Sequence, residues 1–261
     1  MSGSWEDLRA RAASGVVITI VGLWVLWAGG APFLALVALV CGAMIWELSR
    51  MVAPARRREA LQLGLLGAAA IILIGVAPGW SVLPLLGAVA IVASGLLKAH
   101  QIRVAIYTAA ILGAGYGLLL VREGLSGSWA LWLVLVVIVT DIAGYFAGRS
   151  LQGPKFWPRI SPKKTWSGTI AGWVSATLVG LVFAVVTDLP MLVLLLSPVL
   201  SFGSQLGDIA ERALKRKMGA KDSSALIPGH GGVMDRFDGM MGASLAFWVF
   251  SLLGFVPVGG L

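Results

Sequence analysis

The chain has 261 residues, of which 58% are hydrophobic and 12% charged. A soluble domain carries roughly 25% charged residues, so this composition excludes an ordinary water-soluble globule and a disordered chain, and the single cysteine, Cys41, excludes an internal disulfide. The formal net charge is +8, from 20 Lys+Arg against 12 Asp+Glu; because the bases fall between apolar runs, they point to membrane topology, lipid headgroups and phosphates rather than to nucleic acid.

The apolar runs are each long enough to cross a hydrocarbon core of about 30 Å as a helix. They predict an all-α polytopic membrane protein with about nine transmembrane helices, at 15–30, 31–49, 60–77, 80–97, 104–121, 129–148, 168–187, 190–206 and 240–256. Turn formers such as Gly29-Gly30-Ala31-Pro32, Pro78-Gly79 and Asp188-Leu189-Pro190 separate them. Residues 1–14, with Trp5, Leu8, Arg9 and Arg11, read as a short interfacial helix. No small-x-small cleavage site follows the first span, so it is expected to be retained. An odd number of crossings puts the termini on opposite sides. With the N-terminus cytoplasmic, 19 of the 20 Lys+Arg lie inside and only Arg122 outside, which is the asymmetry that sets orientation. The C-terminus is then outside.

Along the first five spans, little invites chemistry. Glu47, close to Arg50, reads as a charge at a span end, and Arg56–Arg58 as an orienting anchor. His100 reads as a solvated loop residue. Gly113-Ala114-Gly115-Tyr116-Gly117 falls in mid-span, where small residues serve helix packing rather than nucleotide binding.

Asp141 differs. It lies eight residues before Arg149 in an apolar run, about 12 Å below the membrane edge at about 1.5 Å per residue. A carboxylate there is costly and is expected to face a polar cavity or a partner. Gly144, Tyr145 and Gly148 share its face, and the glycines would admit a second helix. The next loop, KFWPRISPKKTWSG, sets Lys163 and Lys164 as a basic edge for a phosphate or anionic lipid, between interfacial Trp157 and Trp166.

Residues 203–242 form the densest polar block. It holds Asp208, Glu211, Asp222, Asp235 and Asp238, six of the 20 bases, and His230. Asp208, Glu211 and Lys215 share one helix face, flanked by Arg212 and Arg216. Pro228-Gly229-His230-Gly231-Gly232 is a glycine-rich loop whose backbone N–H groups can approach an anion. Orientation alone accounts for the bases but not the acids. Hard oxygen ligands beside cations suit Mg²⁺ and a polyphosphate. No HExxH, GxSxG or P-loop motif occurs.

The segment GDIAERALKRKMGAKDSSALIPGHGGVMDRFD closely resembles the signature of the phosphatidate cytidylyltransferases, and TDIAGYFAGR and SPKKTWSGTIAG resemble family motifs in the expected order. The resemblance covers about the last half of the chain. It implies a division into residues 1–128 (spans one to five) and a catalytic region 129–261 (spans six to nine) with cytoplasmic loops 149–167 and 207–239. It implies the reaction of CTP with phosphatidic acid to give CDP-diacylglycerol and pyrophosphate. An integral protein of a bacterial cytoplasmic membrane follows, a homodimer with its site facing the cytoplasm, dependent on Mg²⁺, with a second cation as an option. Asp208 and Asp235 map to the metal centre, with Asp141 and Asp238 as further candidate ligands. Lys221, Asp222, His230 and Arg236 complete the matched catalytic signature. Lys215, Arg216, Lys221 and Arg236 would neutralise the pyrophosphate, Lys163 and Lys164 the lipid phosphate, and Gly231 and Gly232 would line the substrate loop. Arg212 stands where the family commonly has Ser.

Three other functions bear on the same residues. A nucleotidyltransferase acting on another lipid phosphate remains an alternative. A CDP-alcohol phosphotransferase needs a DG-xx-AR step, and Asp238-Gly239-Met240-Met241-Gly242-Ala243 lacks its arginine. A transporter would spread polar residues near the midplane of several spans, whereas here they collect at one edge.

Overall fold

The computed structural model describes residues 3–76, 79–227, 229 and 231–256. Among these, nine α-helices follow one another: α1 (Gly3–Ala28), α2 (Gly30–Val52), α3 (Arg57–Val76), α4 (Val82–Leu97), α5 (Gln101–Leu119), α6 (Gly127–Ser150), α7 (Trp166–Val186), α8 (Leu192–Met218) and α9 (Met234–Leu252). Each expected span falls on one of them. Six helical segments are long and apolar enough to cross a membrane: Gly30–Val52, Arg57–Val76, Gln101–Leu125, Gly127–Ser150, Trp166–Val186 and Leu192–Met218. Gly15–Ala28 and Val82–Leu97 are apolar but shorter. The chain is a mainly helical polytopic membrane protein, with outward-facing residues such as Ile91, Ile106, Val185 and Val186 well exposed for contact with lipid.

Two local expectations need correction. The separate interfacial helix over residues 1–14 is absent, because α1 runs unbroken from Gly3 and breaks only at Gly29, whose φ of 62° suits a glycine. The segment after α6 is not plain loop. It folds as an antiparallel hairpin of β1 (Lys155–Trp157) and β2 (Ser161–Thr165), pairing Lys155 with Thr165 and Trp157 with Ser161. Phe156 packs on Trp166 with ring centroids 4.8 Å apart. Thr165, in extended conformation, caps α7 by accepting from Gly168 N at 3.3 Å.

Glycine governs how closely the helices of the second half approach. At the α6–α7 crossing, a Cβ on Gly168 would stand 2.5 Å from the Gly144 carbonyl oxygen and 3.4 Å from Gly148 Cα. At the α8–α9 crossing, Gly207 and Gly242 lie backbone to backbone, where any side chain would collide with Asp238 O or Gly203 O. Without a strong hydrophobic force between helices in lipid, such small-residue contacts are the main source of packing. Gly113 and Gly117 pack on Trp248 and Ser244 of α9, and Gly115 on Cys41 of α2, as the sequence led us to expect. The core between these helices is filled by Trp132, Leu133, Val136, Leu200 and Phe247. Trp132 donates to Ser197 Oγ at 3.0 Å.

Candidate active site

The close α6–α7 and α8–α9 crossings leave a cavity of about 720 Å³ at the end where α6 and α8 finish. Its walls are α6, the β1–β2 hairpin, the start of α7, α8 and the first turn of α9. Asp141, Asp208, Asp235, Asp238, Lys163, Lys164 and Arg216 all line it, although they lie up to about 100 residues apart in sequence. The carboxylate of Asp141 thus meets a polar cavity rather than lipid, and the glycines on its face admit α7.

Asp208 is at the centre. One carboxylate oxygen pairs with Lys164 of β2 and the other with Arg212 at 2.8 Å. Lys164 also donates to the Gln205 carbonyl at 3.3 Å, and Arg212 donates to Ser161 Oγ at 2.7 Å. The hairpin is therefore tied to α8 through the charges of the site, and Arg212 is part of that tie. Gln205 is itself held by Trp173 Nε1 at 3.2 Å and donates to Thr169 O at 3.2 Å.

Asp238, one turn into α9, lies within hydrogen-bonding reach of Asp208, and Asp141 adds its charge. Asp238 precedes the apolar part of α9 that begins near residue 240. Burial first, and then the charge of Asp208, raises its carboxyl above the ordinary range. Two carboxylates this close repel each other, a repulsion that Lys164 and Arg212 on Asp208 offset in part and that a shared proton or cation would relieve further. That donor chemistry fits Mg²⁺, which usually takes one or two carboxylates plus substrate phosphates rather than an all-protein cage. Among the described residues, no group of three or more acidic, His or Cys side chains stands close enough together to hold a metal ion.

Asp235 is differently employed. It accepts from Lys215 at 2.6 Å, from Gly232 N at 2.8 Å, and from Ser223 N and Oγ, each at 3.0 Å. Burial would raise its carboxyl, but these donors outweigh it and hold the group down at about 2. Lys215 stands behind the cavity wall, bridging Asp235 to buried Glu211 at 2.7 Å. Gly231 has φ of 84°, and a side chain on Gly232 would strike Ser223 Oγ and Glu47. The glycines thus close the loop tightly around Asp235.

Other sequence candidates lie apart. Lys221 and Asp222 are exposed, and Asp222 borders a second cavity with Trp46, Arg50 and Ser223. Arg236 is exposed in the first turn of α9. His230 lies outside the described residues.

Glu47 is the residue that sequence reasoning passed over. It is fully buried on α2, accepting from Ser223 Oγ at 3.1 Å, Ser224 Oγ at 2.5 Å, Val233 N at 2.8 Å and Met234 N at 2.7 Å. The sequence reads it as a charge at a span end beside Arg50, but it is buried, and Arg50 donates to Pro54 O at 2.7 Å. An acid in an apolar run was the only signal available.

The model of the cytidylyltransferase family matches residues 9–253. The chain belongs to the cytidylyltransferase family. Two relatives agree over nearly their full length and a third over about half. A protein of Brucella suis named phosphatidate cytidylyltransferase is 36% identical over 268 residues, covering 95% of this chain and 94% of that one. One of the same name from Bacillus subtilis is 32% identical over 257 residues, covering 90% and 94%. A third, from Staphylococcus epidermidis, is 45% identical over 122 residues, 46% of each chain. The family match takes in α2 as well as α6 to α9, so it extends beyond the motifs of the second half.

Proposed function

We propose that the protein is a CTP:phosphatidate cytidylyltransferase, an integral membrane nucleotidyltransferase that converts CTP and phosphatidic acid into CDP-diacylglycerol and pyrophosphate. The observation that carries this reading is the single cavity in which Asp141, Asp208, Asp235 and Asp238 meet Lys163, Lys164, Arg212 and Arg216 beside apolar helices. A phosphate monoester has its second pKa near 6, so phosphatidic acid is largely a dianion at neutral pH and needs no general base. Its oxygen forms a bond to the α-phosphorus of CTP while the bond to the β-phosphate oxygen breaks and pyrophosphate leaves. Catalysis is then a matter of positioning and charge neutralisation.

Asp208 and Asp238 would hold Mg²⁺, with Asp141 within reach and Asp235 ordering the adjoining loop. When bound, such a cation would neutralise charge on the triphosphate and on the leaving pyrophosphate. Lys163 and Lys164, on the hairpin, meet the lipid phosphate. Arg212 and Arg216 face the polyphosphate from α8. Lys215, set behind the wall, keeps Asp235 ionised and fixed.

The membrane arrangement we propose is nine crossings with the N-terminus in the cytoplasm of a bacterial inner membrane, the site at the cytoplasmic edge, and two copies per enzyme. The basic residues support it: Arg122, the one base on the other side, caps the far ends of α1 by donating to Leu26 O at 2.6 Å and Trp27 O at 3.0 Å. The deciding assay is purified protein with labelled CTP and a panel of lipid phosphates. CDP-diacylglycerol should form from phosphatidic acid and require a divalent cation. Preference for another lipid phosphate, or no nucleotidyl transfer at all, would overturn the assignment.

A further inference from the structure

We infer that Glu47 is a positioning residue for the nucleotide half of the site, and that it joins the N-terminal helices to catalysis. The inference rests on the proposed reaction. Glu47 is the fully buried carboxylate of an apolar helix, and an ionised group in that setting is tolerated only when its lone pairs are filled. Donors from Ser223, Ser224, Val233 and Met234 fill them. Two of these are main-chain N–H groups at the opening of α9, where a negative charge is favoured by the helix dipole.

Ser223 at one end of the 223–234 stretch and residues 232–234 at the other are thus held by two carboxylates. Glu47 holds Val233 N and Met234 N; Asp235 holds Ser223 N and Gly232 N. Ser223 Oγ stands between them, 3.1 Å from Glu47 and 3.0 Å from Asp235. Gly232 is fitted into the same gap, with no space for a side chain against either Ser223 or Glu47. The position of Asp235, and through it Lys215, is therefore set from α2. The lipid side of the cavity is carried by the hairpin and Lys164, which are tied to α8 through Asp208 and Arg212 and make none of the contacts that hold Glu47. Loss of Glu47 should disturb the nucleotide side and leave the lipid side intact.

A Glu47→Gln side chain presents an amide N–H₂ where one oxygen now accepts, so it turns hydrogen bonds into donor–donor clashes without changing volume. With full-length protein in detergent and rates normalised to the folded, monodisperse fraction, kcat/KM for CTP should fall roughly 10- to 100-fold. The KM for phosphatidic acid should stay within about twofold, a split that general loosening of the fold would not produce. Ser223→Ala should also lower kcat/KM for CTP, and should add little in the Glu47→Gln background, because both act through Asp235. Kinetics of Glu47→Gln equal to wild type, equal losses toward both substrates, or full additivity with Ser223→Ala would each overturn the inference. If Glu47→Gln does not fold, Ser223→Ala alone decides: unchanged kcat/KM for CTP refutes the link. Wild-type protein that forms no CDP-diacylglycerol would instead remove the proposed reaction.

Discussion

Replacing Asp238 with Asn tests the electrostatics of the site most directly. Asp238 lies within hydrogen-bonding reach of Asp208. Two unit charges ~4 Å apart interact by about 4 kcal/mol at an effective dielectric constant near 20. Lys164 and Arg212 already pair with Asp208 and offset much of that repulsion, which leaves a net of about 1–2 kcal/mol. Asn keeps an oxygen to accept from Gly239 N, a contact of 2.8 Å in the native protein. Asp238→Asn should therefore melt higher than wild type in EDTA, by about 2–4 °C per kcal/mol for a chain of this size. The pH dependence has a defined sign. The native carboxyl is raised above its ordinary value, so the folded state takes up the proton first. The contribution of this carboxyl to stability is fully present below the ordinary carboxylate range and declines as pH rises through the raised native value. The advantage of the variant should therefore widen from acidic to mildly alkaline buffer. Added Mg²⁺ should raise the melting temperature of wild type, since ligand binding stabilises the folded state, but not that of the variant. Thermal unfolding followed in detergent, with and without Mg²⁺, measures all of this. A variant that melts lower than wild type in EDTA, or one that retains the full Mg²⁺ shift, would refute the carboxylate pair as the cation site.

Further expectations follow from the same geometry. Asp235→Asn removes the carboxylate that holds Lys215, Ser223 and Gly232; turnover at saturating Mg²⁺ should drop at least about 100-fold per folded molecule, and near-wild-type turnover would show the loop order to be dispensable. Lys164→Ala frees one oxygen of Asp208 and should raise the KM for phosphatidic acid about tenfold, the loss of a charge-assisted contact; unchanged lipid kinetics would remove Lys164 from the lipid side. Gly168→Val forces α7 away from Gly144 and should cost about 1–3 kcal/mol of stability by overpacking, read as a lowered melting temperature. A reporter fused after Leu261 should read as external; a cytoplasmic signal would overturn the nine-crossing topology.

How much was legible beforehand can be judged residue by residue. The spacing of apolar runs located every helix, because a chain in lipid must satisfy its backbone internally and the length of a crossing is fixed by the bilayer. Scarcity of charge pointed to Asp141, Asp208, Asp235 and Asp238, since an ionised side chain in such a chain is too costly to keep without a use. The glycines of α6 were legible as a helix contact, and Gly168 proved to be what met them.

Composition and the run of apolar residues thus determined the class of protein, the position of its helices and the stretches of chain in which the charged side chains gather. Only the tertiary structure decided which acids face one another, that Asp235 serves the loop while Asp238 stands by Asp208, that residues 155–165 form a hairpin pinned through Arg212 and Lys164, and that Glu47 reaches across some 180 residues to hold the start of α9. The reason is physical. Burial and helix length are local sums along the chain, which a sequence displays openly. The partner of a carboxylate is set by crossing angles and close glycine contacts between distant helices, and neither leaves a periodic trace.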